Sequence, residues 1–112
     1  MFSSTMIVTI VRKGWGNTAL EASVKAGATG GTIIPGRGVG VNEKDSIFGI
    51  PIEPEKEILL TLTHSSKAEA ILQAITEAVD LNTRGNGLAF VVPIEKIVGV
   101  PHATAQAPTD VT

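Results

Sequence analysis

The chain of 112 residues contains no cysteine and no tyrosine, and its aromatic residues make up 4% of it. Without cysteine there is no disulfide framework, no thiol nucleophile and no thiolate metal site. Without tyrosine, no phenol is available for modification. Few aromatics means no platforms on which bases stack. Charge of either sign is also scarce: nine Lys and Arg, eleven Asp and Glu, a net charge of -2. A nucleic-acid binder is expected to carry a basic stripe, and this chain has scattered cations instead. No apolar run reaches the length needed to span a bilayer. Met1-Phe2-Ser3-Ser4 lacks the basic start of a signal peptide, so the expected location is the cytoplasm, with no membrane insertion.

Glycine, by contrast, is concentrated. Five of the eleven residues from Gly30 to Gly40 are glycine, around the strand-like pair Ile33-Ile34. A second cluster, Gly85-Asn86-Gly87, stands before the apolar run Leu88-Ala89-Phe90-Val91-Val92. Glycine costs backbone entropy on folding, so such runs need a reason: φ > 0, close approach of two chains, or close approach of a ligand. Tight turns explain either cluster alone. Two clusters beside two strands equally suit a site where backbone N–H groups meet an anion.

Composition places the chain as one globular domain, 43% hydrophobic and 18% charged. Met6 to Val11 is β-branched and reads as strand one. Asn17 is a candidate N-cap for a helix running to about Lys25, with Gly27 as its stop. Ile33-Ile34 marks strand two, opening into a loop from about Val39 to Pro54. Ile58 to Leu62 is strand three. Ser66-Lys67-Ala68-Glu69 reads as a capping box before Ile71, Leu72, Ile75 and Val79 at helical spacing. Leu88 to Val92 is strand four, with Ile94 to Val100 extending it or adding an edge strand. From Pro101 to residue 112 the composition is that of a disordered tail. Residues 1–100 therefore form a single α+β domain in the order βαββαβ, a ferredoxin-like fold with a four-stranded antiparallel sheet and two helices on one face. Strands one, three and four are apolar at consecutive positions, as in strands buried on both faces. Two helices cover one face only, so the other is expected to be covered by further subunits.

These segments resemble the PII signal-transduction (nitrogen regulatory P-II) family, in its compact PII-like branch. Gly27 to Gly40 is similar to the end of the first helix, strand two and the start of the family's T-loop, here about residues 39–54. Phe48 to Ile58 resembles the return of that loop into strand three. Leu81 to Phe90 resembles the phosphate-facing B-loop, here about 81–87. The resemblance implies a homotrimer that binds adenylates in clefts between subunits and requires no cofactor. It also implies a T-loop that docks on a transporter or metabolic enzyme, a non-enzymatic regulator in nitrogen control. Carried over position by position, the ligand site comprises Thr32, Gly38, Val39, Gly40 and Val41 at the T-loop base, with Gly85, Asn86 and Gly87 in the phosphate loop. Arg37 and Arg84 are the cations nearest the two clusters, and Lys56 lies near the family's effector-binding lysine. The partner-docking loop contains Ser46, the one hydroxyl there, and the apolar Ile47, Phe48 and Ile50.

The departures are specific. Leu88 stands where the family has a lysine after the B-loop glycines, and Gly99 and Pro101 where it has two arginines. Such cations supply charge complementarity for a triphosphate. AMP, ADP or another small anion is thus as well suited as ATP. The uridylylated tyrosine of some relatives is absent. A trimeric metal-tolerance protein of the CutA type shares the architecture and is the alternative reading, with no cysteine and two histidines, His64 and His102, against it. No acid, base or nucleophile set marks an enzyme. Glu53, Glu55 and Glu57 alternate and read as a solvated deterrent to edge pairing, and Trp15 as a cover for the end of the helical layer.

Overall fold

The computed structural model describes residues 3–39, 45–47, 50–52 and 54–99. Strand β1 (Ser4–Arg12) leads into helix α1 (Gly16–Lys25) and strand β2 (Thr32–Arg37). A small hairpin, β3 (Asp45–Ile47) with β4 (Ile50–Ile52), follows inside the segment expected to be a loop. Strand β5 (Glu55–His64), helix α2 (Ser65–Ala78) and strand β6 (Gly87–Ile94) complete the domain. The main sheet is antiparallel in the order β2-β5-β1-β6, which is the expected ferredoxin-like arrangement. β6 stops at Ile94, so the described residues beyond it neither extend the strand nor add another. The expected tail from Pro101 lies outside the described residues.

One face of the sheet is the core. Ile7 and Val11 of β1 and Leu59 of β5 are fully buried with Ala19 of α1 and Ile71 and Ile75 of α2. Alternation puts Met6, Val8 and Ile10 on the opposite face. Their cross-strand partners there are apolar too: Ile10 lies between Ile58 and Leu88, Val8 between Leu60 and Phe90, and Met6 between Leu62 and Val92. Ile34 extends the first row and Thr32 the second. Within the single chain this face is open, leaving Leu88 52%, Phe90 46% and Ile34 40% exposed. The consecutive apolar residues in the sequence thus divide into one buried row and one uncovered row.

Both helix starts differ from the sequence reading. Helix α1 is capped at Trp15 without a side-chain bond, and Asn17 lies inside the helix. The Gly16 N–H instead donates to Glu57 Oε1 of β5, at 2.8 Å. A carboxylate brought by the tertiary fold replaces a local cap. Helix α2 is capped by His64, whose Nδ1 accepts from the Ser66 N–H at 3.1 Å, so Ser66 and Glu69 form no capping box. Gly27 does end α1: its φ is +122° and its N–H donates to the Val24 carbonyl.

Candidate functional site

Three strands finish together at one end of the sheet. Arg37 of β2 pairs with Glu55 of β5, and Lys56 lies between Gly36 of β2 and Arg12 of β1. Two backbone bonds hold these ends, from Gly38 N–H to the Pro54 carbonyl and from Lys13 N–H to the Glu55 carbonyl. A cleft of about 340 Å³ opens there, walled by Pro35, Gly36 and Arg37 on one side and by Lys13 and residues Glu55, Lys56 and Glu57 on the other. It sits at the foot of the segment from residue 39 to 54.

Both carboxylates of the cleft are committed to other groups. Lys13 Nζ lies 2.7 Å from Glu55 Oε1. That hydrogen bond and its charge hold the Glu55 carboxyl below its ordinary value, with Arg37 adding to the effect, and hold Lys13 above its own. Glu57 accepts from Gly16. Neither glutamate behaves as an edge deterrent, because β5 is an interior strand; Glu53 lies outside the described residues. Arg37 and Lys56 also line the cleft, with the Gly36 backbone beside them. This arrangement suits an anion that takes charge-assisted hydrogen bonds.

Several expected residues meet here: Arg37 and Lys56 line the cleft, and Gly38 and Val39 follow at its rim. Gly40, Val41 and Phe48 lie outside the described residues. Ser46 and Ile47 fall in β3, and Ile50 in β4. Thr32 is at the far end of β2, on the open sheet face opposite Leu60, five residues or about 17 Å from Arg37.

The second glycine cluster shares this end of the sheet but flanks the other edge, three strand spacings or about 14 Å from β2. Its backbone is a built turn. Asn86 N–H donates to the Thr83 carbonyl and Asn86 Nδ2 to the Asp80 carbonyl at 3.0 Å, so Asn86 is spent on closing α2 into β6. Gly85 has φ +88° and Gly87 φ +133°. Gly87 opposes Val11, and a Cβ on it would collide with the Ile10 carbonyl oxygen. Close approach of two strands, one of the three reasons open from the sequence, therefore accounts for Gly87. Arg84 is exposed and forms no ion pair among the described residues.

Sequence reasoning missed Lys13 and Arg12. The strand-one reading, Met6 to Val11, stops short of both. Pairing of β1 with β5 brings them to the loop foot, and no local pattern announces a cross-strand neighbour 44 positions away.

Among the described residues no three His, Asp or Glu gather where they could hold a metal ion, and no helix is long and apolar enough to cross a membrane. The model of the family "Nitrogen regulatory protein P-II" matches residues 4–102. The chain belongs to the P-II family. P-II proteins are regulatory signalling proteins, and this chain is a regulator of that type. Among solved structures, the crystal structure of Arabidopsis thaliana PII bound to citrate superposes with a TM-score of 0.70 at 20% identity, covering 91% of this chain and 87% of that one. At that identity the likeness establishes the P-II fold. No curated protein sequence matches the chain significantly.

Proposed function

We propose that this P-II chain is a trimeric regulator whose anionic effector binds at the foot of the 39–54 loop. The observation that carries the reading is the cleft where Arg37 and Lys56 stand beside the Gly36 and Gly38 backbone, with Glu55 paired to Lys13 within it and Glu57 bonded to Gly16. Three sheets facing one another through their open apolar faces would assemble the protein. Thr32 and the second glycine cluster, remote from the cleft within one chain, would then meet ligand across subunit boundaries.

Occupation of the cleft would favour one arrangement of the loop, and with it the affinity for a transporter or metabolic enzyme docked through Ser46, Ile47, Phe48 and Ile50. Nitrogen status is the signal we assign to this control, in keeping with the family. The effector is an adenylate or a small carboxylate: the Arabidopsis protein holds citrate, and citrate and ADP both offer several anionic oxygens. Leu88, exposed on the open face, gives no cation to a third phosphate. Neither does Gly99, which has no side chain; Pro101 lies outside the described residues. ATP should bind no more tightly than ADP or AMP.

Calorimetry with AMP, ADP, ATP and citrate tests this reading. We expect at least one of them to bind, and Arg37→Ala to weaken it about tenfold, roughly the worth of one charge-assisted bond. Absence of binding by all four, or equal binding by Arg37→Ala, would overturn the site at the loop foot. A tenfold preference for ATP would contradict the reading of Leu88 and Gly99.

A further inference from the structure

We infer that Asn86-Gly87 is a site of spontaneous chemical modification, where loss of ammonia from Asn86 opens the turn that joins α2 to β6. Asparagine is among the chemically labile residues. The Gly87 nitrogen gives its proton to hydroxide and attacks Asn86 Cγ; the Cγ–Nδ2 bond breaks, and ammonia leaves. Water then opens the cyclic imide at either carbonyl, leaving aspartate or isoaspartate at position 86. One water enters and one ammonia departs, with no oxidant or reductant. A side chain on the residue that supplies the nitrogen hinders this ring closure, and glycine has none. Asn86 is the one asparagine of the chain followed by glycine: Asn17 and Asn82 precede threonine, and Asn42 precedes glutamate. Gly87 is also exposed to solvent.

The fold requires each half of this pair for a separate reason. Asn86 closes the turn, its Nδ2 donating to the Asp80 carbonyl at 3.0 Å with a longer contact of 3.5 Å to the Val79 carbonyl. Gly87 has φ +133° opposite Val11, and a Cβ there would strike the Ile10 carbonyl oxygen. Exchange of either residue costs the turn or the strand pairing, so the labile pair is built into the structure. The Nδ2 bonds hold the leaving nitrogen, and local opening of the turn therefore sets the rate. After the step, an anionic oxygen replaces the donor and faces carbonyl oxygens that repel it. Asp80, at φ 50° the one non-glycine residue with positive φ among the described residues, loses the bond its carbonyl accepted. Isoaspartate also adds an atom to the backbone just before β6, which displaces Gly87 from its place opposite Val11.

The test keeps the full chain at mildly alkaline pH. Peptide mass spectrometry reads conversion at each asparagine, an isoaspartate assay reads the product, and a synthetic peptide of residues 80–90 runs beside it. We expect Asn86 to convert first in the chain, several-fold more slowly than in the peptide, with isoaspartate among the products. If Asn86 stays intact after the peptide is fully converted, or if Asn17, Asn42 or Asn82 converts sooner, the inference is overturned. The effect on the turn has its own measurement. Asn86→Ala removes the Nδ2 bonds, and Asn86→Asp also places the anionic oxygen. Urea midpoints should fall in the order wild type, Asn86→Ala, Asn86→Asp; a midpoint of Asn86→Asp equal to that of the wild type overturns the opening of the turn. Should Asn86→Asp fail to fold, partly aged wild type serves in its place. Its converted fraction, counted by mass, should unfold at a lower midpoint than the rest, and a single shared midpoint overturns the same claim.

Discussion

Glu57 and Gly16, 41 residues apart, are joined by a 2.8 Å hydrogen bond from the glycine N–H to the glutamate Oε1. This bond ties the start of α1 to the interior strand that forms the cleft floor. Gly16 is buried, and a Cβ there would meet the same oxygen at 2.6 Å, so the position needs both a glycine and an acceptor. Glu57→Ala leaves a buried N–H without a partner, a cost of about 1–3 kcal/mol. Glu57→Gln keeps an acceptor and should lose less than half as much. Urea midpoints of the two variants check the order.

Thr9 and Thr61 are fully buried on the helix-facing side of the sheet, and neither hydroxyl has a hydrogen-bond partner. An unsatisfied buried hydroxyl costs stability that its β-branched packing does not require. Thr9→Val and Thr61→Val should each leave stability unchanged or raise it by about 1 kcal/mol, seen as a higher urea midpoint at unchanged slope. Destabilisation by more than that would mean the hydroxyls bind ordered water.

The Lys13–Glu55 pair predicts a pH dependence of definite sign. Glu55 is held below its ordinary value of 4.5, first by the Lys13 hydrogen bond and then by Lys13 and Arg37 charge. Its contribution is therefore present above the unfolded value and is lost as pH falls through the lowered folded one. Lys13, raised above 10.5, contributes fully below that value and stops contributing as pH rises through the raised one. Both groups are exposed, so the effect is small and fades in high salt. Denaturation between pH 5 and 3 should show a steeper acid loss in the wild type than in Glu55→Gln.

Gly85 and Gly87 are two residues apart and should respond differently to alanine. At Gly87 the added Cβ strikes the Ile10 carbonyl oxygen, so β6 must separate from β1 there. At Gly85 the nearest atom is a terminal nitrogen of Arg12 at 3.5 Å, an ordinary contact, so the cost is the positive φ alone, about 1–2 kcal/mol. Gly85→Ala should fold with a modestly lower melting temperature, and Gly87→Ala should lose far more. Loss of ligand binding in Gly87→Ala would thus report on the strand, whereas in Gly85→Ala it reports on the turn.

The fold was legible in the sequence wherever a segment's own residues decide its state. The β-branched run of β1, the apolar run of β5, and Ile71, Leu72 and Ile75 of α2 are of that kind. The caps were not, because the partner of Gly16 is a side chain on β5, and because His64 is a rare acceptor that outcompetes the more usual Ser66. The β3–β4 hairpin is three residues a side and leaves too short a pattern to read. At the site, Arg37 and Lys56 could be found from their nearness to glycines and from the family likeness. The tie from Arg12 to Gly85 could not, since it depends on a carbonyl 73 residues away.

The open face of the sheet carries the prediction for assembly. Val8 sits at its centre, with Leu60 and Phe90 beside it and Ile10 and Met6 two positions along the strand. If three such faces form a shared core, a charge at Val8 must be buried without a partner, which costs several kcal/mol per subunit. Val8→Glu should therefore abolish the trimer. The helix-covered core of Ile7, Leu59, Ile71 and Ile75 lies on the other side of the sheet, so each chain keeps the contacts that fold it. Light scattering should find the wild type trimeric at micromolar concentration and Val8→Glu monomeric, with helical circular dichroism retained. A monomeric wild type would leave the apolar rows without a function in assembly, and the proposal that ligand meets residues of more than one subunit would fall with it.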